Sequence, residues 1–396
     1  SLDKPIHITK KQILIMATAL SKDIAKSTNS DRVGVVIPSC AVGVIANVAV
    51  LLAGKIPVNL NFAVTNDVAR HCLAKSGIKL ILTVSAMRTK FPEYPFTDNT
   101  IDCDTQLKAY KSNKCKLIPN YILHSLPTFI SRKILNIFPT TQSTEFAVLF
   151  TSGSSGSPKG VSLSHANILS NIHGICQMQK FPSSSKLLAN LPLFHSFGFT
   201  VTMWLPLIKG IPIVTIPSPL EINKTIAAIQ AEQVSILLGT PTFLRGYLKK
   251  GSSNKFKSLQ YVVAGAEKSN IDFIKQWETI SECKYLEGYG LTETSPVISL
   301  NTTTNGIKHG SVGKMVQSIK VKTIHPETKV DLSRTHSGIL CFQGDNIFTE
   351  YIMDSSKTKS AFENGWFVTG DIGKLDSDGF LFIEGRLSRF SKIGGE

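Results

Sequence analysis

Short apolar segments alternate with helical segments along most of this chain, and this alternation constrains its fold more than any other feature. An apolar segment at 33–38 is followed by a helical segment at 41–53, and a helical segment at 66–75 leads into the apolar segment 80–84. The same alternation returns around a helical segment at 222–232. Strands that alternate with helices are typical of parallel sheets. We therefore predict an α/β protein with mostly parallel sheets.

Two segments depart from this pattern. After about residue 301 the apolar runs, such as 319–324 and 338–342, become short and bounded by turns, which predicts a small β-rich unit. The segment 90–138 is polar, basic and contains proline, and it fits either a helix or a surface insertion. A chain of 396 residues is expected to form about two to three packing units.

The chain is basic, with 43 Lys and Arg against 28 Asp and Glu and a net charge of +15. A basic surface attracts nucleic acid, an anionic membrane or an acidic carrier protein. Because the sequence contains no helix-turn-helix, zinc-finger or RNA-binding motif, we expect no nucleic-acid partner. A generally basic proteome would explain the excess of cations equally well.

The cysteines and the lengths of the apolar runs indicate where in the cell the protein is found. The seven cysteines are scattered singly, which is typical of a protein kept in a reducing cytosol. The start of the chain has no features of a secretory signal. The longest apolar stretch, 41–53, is interrupted by Gly43 and Asn47 and is shorter than the roughly 20 residues that cross a bilayer. We expect a cytoplasmic protein, with peripheral membrane association as the alternative that its charge leaves open.

A serine- and glycine-rich segment, TSGSSGSPKG at 151–160, follows the apolar strand 146–150. Small residues let the backbone wrap around phosphate oxygens, and N–H groups and hydroxyls then donate hydrogen bonds to the anion. It is not a Walker A loop, because Pro158 precedes Lys159 and Gly160 follows it. A flexible linker is the alternative. The ordered strand before the segment and the closing Pro-Lys-Gly favour a phosphate-binding loop, with a helix after Ser164.

This segment resembles the signature loop of the adenylate-forming superfamily, which includes acyl-CoA synthetases, luciferases and peptide-synthetase adenylation domains. The usual pattern has Thr at the position of Ser155, and serine keeps the hydroxyl. The resemblance implies that ATP and Mg²⁺ are bound and that Lys159 also takes part in catalysis. It assigns nucleotide contacts to Thr151, Ser152, Gly153, Ser154, Ser155, Gly156 and Lys159.

Further motifs occur in the order found in that superfamily. The segment PLFHSFG at 192–198 resembles its second signature, which places His195 beside the carboxylate substrate and Phe194 and Phe197 in the acyl pocket. A histidine in an apolar run is usually a core residue, but its place in this series favours the functional role. The turn 264–268 resembles the one that packs against adenine and implies nucleotide contacts for Gly265, Ala266 and Glu267.

The segment 285–295 matches the pattern Y-G-x-T-E. The resemblance implies that Tyr289 stacks on adenine, that Thr292 binds the α-phosphate and that Glu293 is a ligand of Mg²⁺, which prefers hard oxygen ligands. Gly290 is assigned to both the nucleotide and the substrate. The alternative is an ordinary loop with a surface glutamate.

The motif W-x-x-T-G-D recurs at 366–371, and Gly385-Arg386 matches the G-R pair of the family. Asp371 would then accept hydrogen bonds from the ribose hydroxyls, and Arg386 would lie near ribose and phosphate. In the family the large domain ends here at a hinge, where Arg389 replaces the usual Asp or Lys. The resemblance thus divides the chain into an adenylation domain at 1–385, with α/β subdomains at 1–300 and a β-rich subdomain at about 301–385, and a segment 386–396 that contains the hinge and the start of a truncated C-terminal domain.

The implied fold has two α/β subdomains and a small β-barrel-like subdomain, with the C-terminal small domain missing. The implied reaction activates a carboxylic acid as acyl-AMP, releases pyrophosphate and then forms a thioester; this chain alone would bind ATP with weak or no turnover. The ending RLSRFSKIGGE, together with AGAEK, most resembles bacterial acyl-acyl-carrier-protein synthetases, which implies a fatty acid substrate and a carrier-protein acceptor. A fatty acyl-CoA ligase and a non-enzymatic AMP-binding module are the alternatives.

Overall fold

The computed structural model describes residues 6–113, 115, 117–137, 141, 143–151 and 157–387. Its residues form two compact units. The first contains the residues up to His165 together with Pro192–Phe199, and the second contains Ala166–Leu191 together with the residues from Thr200 onward.

The first unit is built on a sheet whose strands lie in the order β6-β5-β2-β1-β3-β4, parallel except for the antiparallel pair β5 and β6. The strands are β1 Arg32–Val36, β2 Ile56–Asn59, β3 Ile81–Thr83, β4 Thr100–Asp102, β5 Glu145–Thr151 and β6 Lys159–Ser164. The helices are α1 Lys10–Ser27, α2 Ala41–Leu52, α3 Asn66–Ser76, α4 Ser85–Lys90, α5 Cys103–Ser112, α6 Ile118–Leu123 and α7 Thr128–Ile134.

The local sequence explains the elements of this unit. Helix α1 begins after Thr9, whose side chain accepts a hydrogen bond from the backbone N–H of Gln12 while the Gln12 side chain accepts one from the backbone of Thr9. In β1, Val33, Val35 and Val36 are at most 1% exposed, as expected for a parallel strand covered on both faces. Where the structure describes the segment 90–138, it holds one strand and three short helices rather than a single helix.

The second unit contains a sheet in the order β13-β12-β11-β10-β9-β7-β8, parallel from β8 to β11 and antiparallel beyond it. The strands are β7 Leu187–Ala189, β8 Ile213–Thr215, β9 Ile236–Gly239, β10 Tyr261–Ala264, β11 Lys284–Gly290, β12 Val297–Leu300 and β13 Lys314–Met315. The helices are α9 Leu205–Lys209, α10 Ile222–Glu232, α11 Pro241–Lys250, α12 Ser253–Phe256 and α13 Ile271–Ser281, together with α8 His165–Met178 and a π-helix Phe197–Trp204, both of which begin in the first unit and continue into this one. Helix α8 begins directly after Ser164, as predicted.

A second, antiparallel sheet completes this unit in the order β15-β14-β16-β19-β18, with β20 also paired to β19. Its elements are β14 Lys320–Ile324, β15 Asp331–Leu332, β16 Gly338–Gln343, β18 Phe362–Glu363, β19 Trp366–Leu375 and β20 Leu381–Arg386; β17 Glu350–Tyr351, helix α14 Ser355–Ala361 and a 3₁₀ turn Thr292–Thr294 lie outside it. The predicted fold class is confirmed, whereas the domain boundaries stay predictions. Among the described helices, none has the length and apolar character needed to cross a bilayer.

Candidate active site

A buried carboxylate lies where β11, β19 and β20 meet. Asp371 on β19 pairs directly with Arg386 on β20, and the Arg386 Nε lies 2.9 Å from the Asp371 Oδ1. The Tyr289 hydroxyl, near the end of β11, donates to the other carboxylate oxygen at 2.5 Å. Asp371 is only 4% exposed, so these two donors offset the cost of burying its charge. Burial, followed by the nearby Asp371 charge, raises the pKa of Tyr289, which keeps its hydroxyl protonated as a donor.

The 3₁₀ turn Thr292–Thr294 directly follows this strand and carries Glu293. The Tyr351 hydroxyl donates to Glu293 Oε1 at 2.8 Å, and the backbone N–H of Phe348 donates to the Glu293 carbonyl at 2.8 Å. The pKa of Tyr351 is raised by burial and then by the Glu293 carboxylate, so the phenol stays protonated. The turn is therefore held through both the side chain and the backbone of Glu293.

Buried asparagines hold the turn on its other side. Asn346 Nδ2 donates to the carbonyl of Thr294 at 2.8 Å, and Asn171 Nδ2 donates to that of Val297 at 2.7 Å. Asn171 and Asn346 are both fully buried. Because buried amides are costly unless they are hydrogen-bonded, these bonds fix the path of the backbone around Glu293.

Gly290 lets the chain pass close to itself just before the turn. A Cβ atom at this position would lie 1.9 Å from the carbonyl oxygen of Pro296. We predict that Gly290→Ala lowers the free energy of unfolding by about 1–3 kcal/mol, because the backbone must shift to relieve this overlap. Urea unfolding measures the change. Gly370→Ala is the matched control, since nothing lies within 4 Å of its Cβ position, and equal losses in both variants would contradict the prediction.

We predict that Tyr351→Phe lowers catalytic efficiency in ATP–pyrophosphate exchange by about 3- to 10-fold, the range expected for one lost hydrogen bond. The phenyl ring keeps its packing against Phe348, at 4.7 Å between ring centroids, while Glu293 loses its donor. The Mg²⁺ concentration giving half-maximal exchange should rise as well. Unchanged Mg²⁺ dependence would show that the hydroxyl does not orient the carboxylate.

Other predicted nucleotide residues follow β10. Ala266 has a positive φ of 69°, and the backbone N–H of Gly265 donates to the carbonyl of Gly239. Glu267 Oε2 accepts hydrogen bonds from the backbone N–H of Thr242 at 3.2 Å and from its hydroxyl at 2.6 Å. This carboxylate therefore binds the first turn of α11 and fixes the loop that was predicted to face adenine.

The first unit holds the remaining predicted residues. Thr151 and Lys159 pair across the antiparallel strands β5 and β6, at the two ends of the serine-rich segment. The His195 ring lies 4.8 Å from the Phe194 ring, between centroids. Solvent reaches His195, yet the surrounding protein lowers the pKa of its imidazole by desolvation, so it is neutral at pH 7. Phe197 begins the π-helix.

Part of the predicted site lies outside the described part of the chain. Residues 152–156 of the serine-rich segment, and Arg389 at the predicted hinge, lie outside the described residues. In the second unit, the structure brings together Tyr289, Asp371 and Arg386, and it places Thr292 and Glu293 on the turn that follows. Whether the residues of the first unit share one nucleotide with them stays a prediction.

The sequence motifs did not indicate Tyr351, Asn171 or Asn346. A signal existed for Asn171, which lies four residues after Asn167 and so on the same, buried face of α8. Asn167 also bonds to the segment before Tyr351, since its Nδ2 donates to the carbonyls of Asp345 and Ile347. Two buried asparagines on one helix face indicate that their amides hydrogen-bond to a neighbouring backbone segment and fix its position.

Comparison with known proteins identifies the family. The family model described as AMP-binding enzyme matches residues 9–352. The long-chain-fatty-acid–CoA ligase of Bacillus subtilis is 27% identical over 391 residues, covering 92% of this chain and 69% of the relative. The ligase of the same name from Haemophilus influenzae is 27% identical over 432 residues, covering 99% of this chain and 76% of the relative.

A solved structure supports the fold. O-succinylbenzoate coenzyme A synthetase from Bacillus subtilis, in complex with ATP and magnesium ion, superimposes with a TM-score of 0.78 at 22% identity, covering 95% of this chain and 74% of that one. The expected likeness to acyl-acyl-carrier-protein synthetases in particular is not supported, because these relatives are named as coenzyme A ligases. With a family model that matches most of its length, the chain belongs to the AMP-binding enzyme family of adenylate-forming ligases.

Proposed function

We propose that this protein activates a long-chain fatty acid with ATP, forming acyl-AMP and pyrophosphate, and that the acyl group then passes to the thiol of coenzyme A. The observation that carries the proposal is the cluster of Tyr289, Asp371 and Arg386 beside the turn that bears Glu293. The relatives named as long-chain-fatty-acid–CoA ligases favour coenzyme A over a carrier protein as acceptor.

In this proposal each group has a defined task. The fatty acid carboxylate attacks the α-phosphate, and Thr292 donates a hydrogen bond to the oxygens on which negative charge accumulates. Asp371 accepts hydrogen bonds from the ribose hydroxyls, and Arg386 lies beside them. The loop 151–156 and Lys159 bind the phosphates, and neutral His195 lies beside the substrate carboxylate. No covalent enzyme intermediate is required, because positioning and charge stabilisation lower the barrier.

The carboxylate oxygens of Glu293, on the turn Thr292–Thr294, suit Mg²⁺ as ligands. Tyr351 bonds to Oε1 of Glu293, and a carboxylate has about four acceptor positions, so Glu293 retains oxygen lone pairs for a cation. Magnesium commonly binds through one or two carboxylates together with substrate phosphates and water. Within the described parts of the chain, no group of three or more His, Cys, Asp or Glu could hold a metal. Glu293 would therefore bind Mg²⁺ that arrives with ATP, and the ion would neutralise phosphate charge.

The second unit contains a small apolar cavity, which would have to widen before it could hold an alkyl substrate. A cavity of about 40 Å³ lies on one face of the sheet that contains β11. Its walls include Ile236 and Leu238 of β9, Tyr261 and Val263 of β10, and Leu286 of β11. These positions alternate along each strand, so their side chains share one face. A fatty acyl chain is larger than this cavity and would have to displace side chains in order to enter.

The decisive experiment is ATP–pyrophosphate isotope exchange by the full-length protein, with fatty acids of increasing length. We expect exchange that requires a fatty acid and exceeds the rate with acetate at least tenfold. Thioester formation is then measured with coenzyme A and with acyl carrier protein side by side. Acylation of the carrier protein alone would overturn the acceptor assignment. Nucleotide binding without any exchange would instead indicate a non-enzymatic AMP-binding module.

A further inference from the structure

Exposed apolar side chains are concentrated in one short part of the first unit. Fifteen large hydrophobic residues of the described chain are exposed, and seven of them fall within residues 118–137. Single exposed apolar residues are normal, but a concentration of them marks an interaction surface. We call it the α6–α7 surface; its members are Ile118, Tyr121, Ile122, Leu126, Phe129, Ile134 and Ile137, and Phe129 is 74% exposed.

The two helices hold this surface outward. On α6, Ile118, Tyr121 and Ile122 are spaced by three and four residues, so they share one face. The opposite face is anchored, because Asn120 is 2% exposed and its side chain donates to the carbonyl of Ile15 in α1 at 3.4 Å. The apolar face of α6 is therefore part of a folded element.

Helix α7 is tied to α6 in turn. The hydroxyl of Ser131 donates to the carbonyl of Leu123 at 2.7 Å, which fixes the middle of α7 against the end of α6. Phe129 and Ile134 of α7 remain 74% and 58% exposed in this arrangement. These side chains are therefore exposed even though both helices are packed in place.

The surface is bordered by cations. Residues 105–144 contain six Lys and Arg and no Asp or Glu. Of these, Arg132 and Lys133 are exposed on α7 itself, and Lys108 and Lys111 are exposed on α5. From α1, exposed Lys11 reaches the same region, with its Nζ 2.7 Å from the Ser125 hydroxyl.

We propose that the α6–α7 surface binds the surface of an anionic lipid bilayer. Helices that lie in a membrane interface combine an apolar face, which enters the boundary of the acyl chains, with Lys and Arg, which attract anionic headgroups. Phe129 and Ile134 supply the first component, and Arg132 and Lys133 supply the second. The surface would let the protein collect fatty acids from the membrane, and this use rests on the proposed function. Binding to the bilayer does not depend on the proposed function.

Vesicle sedimentation tests the binding without any activity assay. The full chain is mixed with vesicles of phosphatidylglycerol and phosphatidylcholine, and in parallel with vesicles of phosphatidylcholine alone. We expect the protein to sediment with the anionic vesicles and at least tenfold less with the neutral ones. The double variant Phe129→Ser/Ile134→Ser should lose at least tenfold in affinity. Val330→Ser, at a site that is 61% exposed in the second unit, should bind like the wild type.

Two further measurements guard against a misfolded variant. The charge reversals Arg132→Glu and Lys133→Glu leave the apolar residues in place and should weaken binding, as should added salt. In Phe129→Trp the new indole should shift its emission to the blue with anionic vesicles, whereas that of Val330→Trp should not. No vesicle binding by the wild type, equal binding to neutral vesicles, or capture of an acidic protein by this surface without lipid binding would each overturn the proposal.

Discussion

The substitution Glu293→Gln should reduce ATP–pyrophosphate exchange by the full-length protein about 100- to 1,000-fold, the size of effect seen when one preorganised charge-stabilising group is removed. Glutamine keeps the length of the side chain, and its amide oxygen can still accept the hydrogen bond from Tyr351. The loss of negative charge removes the ligand that we assign to Mg²⁺. Because the side chain lies on the turn held by Phe348 and the asparagines, we expect little change in stability.

The matched control for this variant is Glu350→Gln, an exposed glutamate on β17 beside Tyr351. It removes the same charge from a neighbouring position and should leave exchange within about twofold of the wild type, as surface substitutions usually do. Calorimetry with ATP and increasing Mg²⁺ separates binding from chemistry. Glu293→Gln should lose the dependence of ATP affinity on Mg²⁺; if it exchanges at the wild-type rate, Glu293 is not the metal ligand.

The sequence predicted the residues proposed to contact the nucleotide better than the residues that hold them in position. Tyr289 and Asp371 stand out because each lies in a short motif, and the structure brings them into contact although 82 residues separate them. Tyr351 lies 58 residues after Glu293, and nothing in its local sequence reveals that it donates to that carboxylate. Such partners are chosen by tertiary packing, which a local pattern does not encode.

The same limit explains why segment 90–138 was hard to assign. Helices α6 and α7 have six and seven residues, which is too short for a hydrophobic period to repeat. Helices of this length are not stable alone and depend on tertiary contacts, such as the bond from Asn120 to α1. By contrast, α2 has twelve residues and is mostly apolar, and the sequence predicted it almost to its bounds.

Asp371→Asn should weaken ATP binding about 10- to 150-fold, corresponding to the roughly 1.5–3 kcal/mol of a hydrogen bond to a charged group. Asparagine preserves the shape, but its NH₂ group cannot accept from Tyr289, Arg386 or a ribose hydroxyl. One of these donors must therefore lose its acceptor. Calorimetry with ATP measures the affinity, and inosine triphosphate, which keeps the ribose, should show a parallel loss.

The control is Asp376→Asn, which breaks an ion pair with Lys308 at 2.6 Å in the more exposed turn between β19 and β20. It should leave ATP affinity unchanged, because exposed ion pairs contribute little.

Tyr289→Phe then tests how Tyr289 and Asp371 act together. If the Tyr289 hydroxyl only orients Asp371, the double variant Tyr289→Phe/Asp371→Asn should bind ATP no more weakly than Asp371→Asn alone. Both changes would then act through the same carboxylate. Additive losses would show that the Tyr289 hydroxyl supports nucleotide binding by a route other than Asp371. Wild-type affinity in Asp371→Asn would instead remove the carboxylate from the nucleotide site altogether.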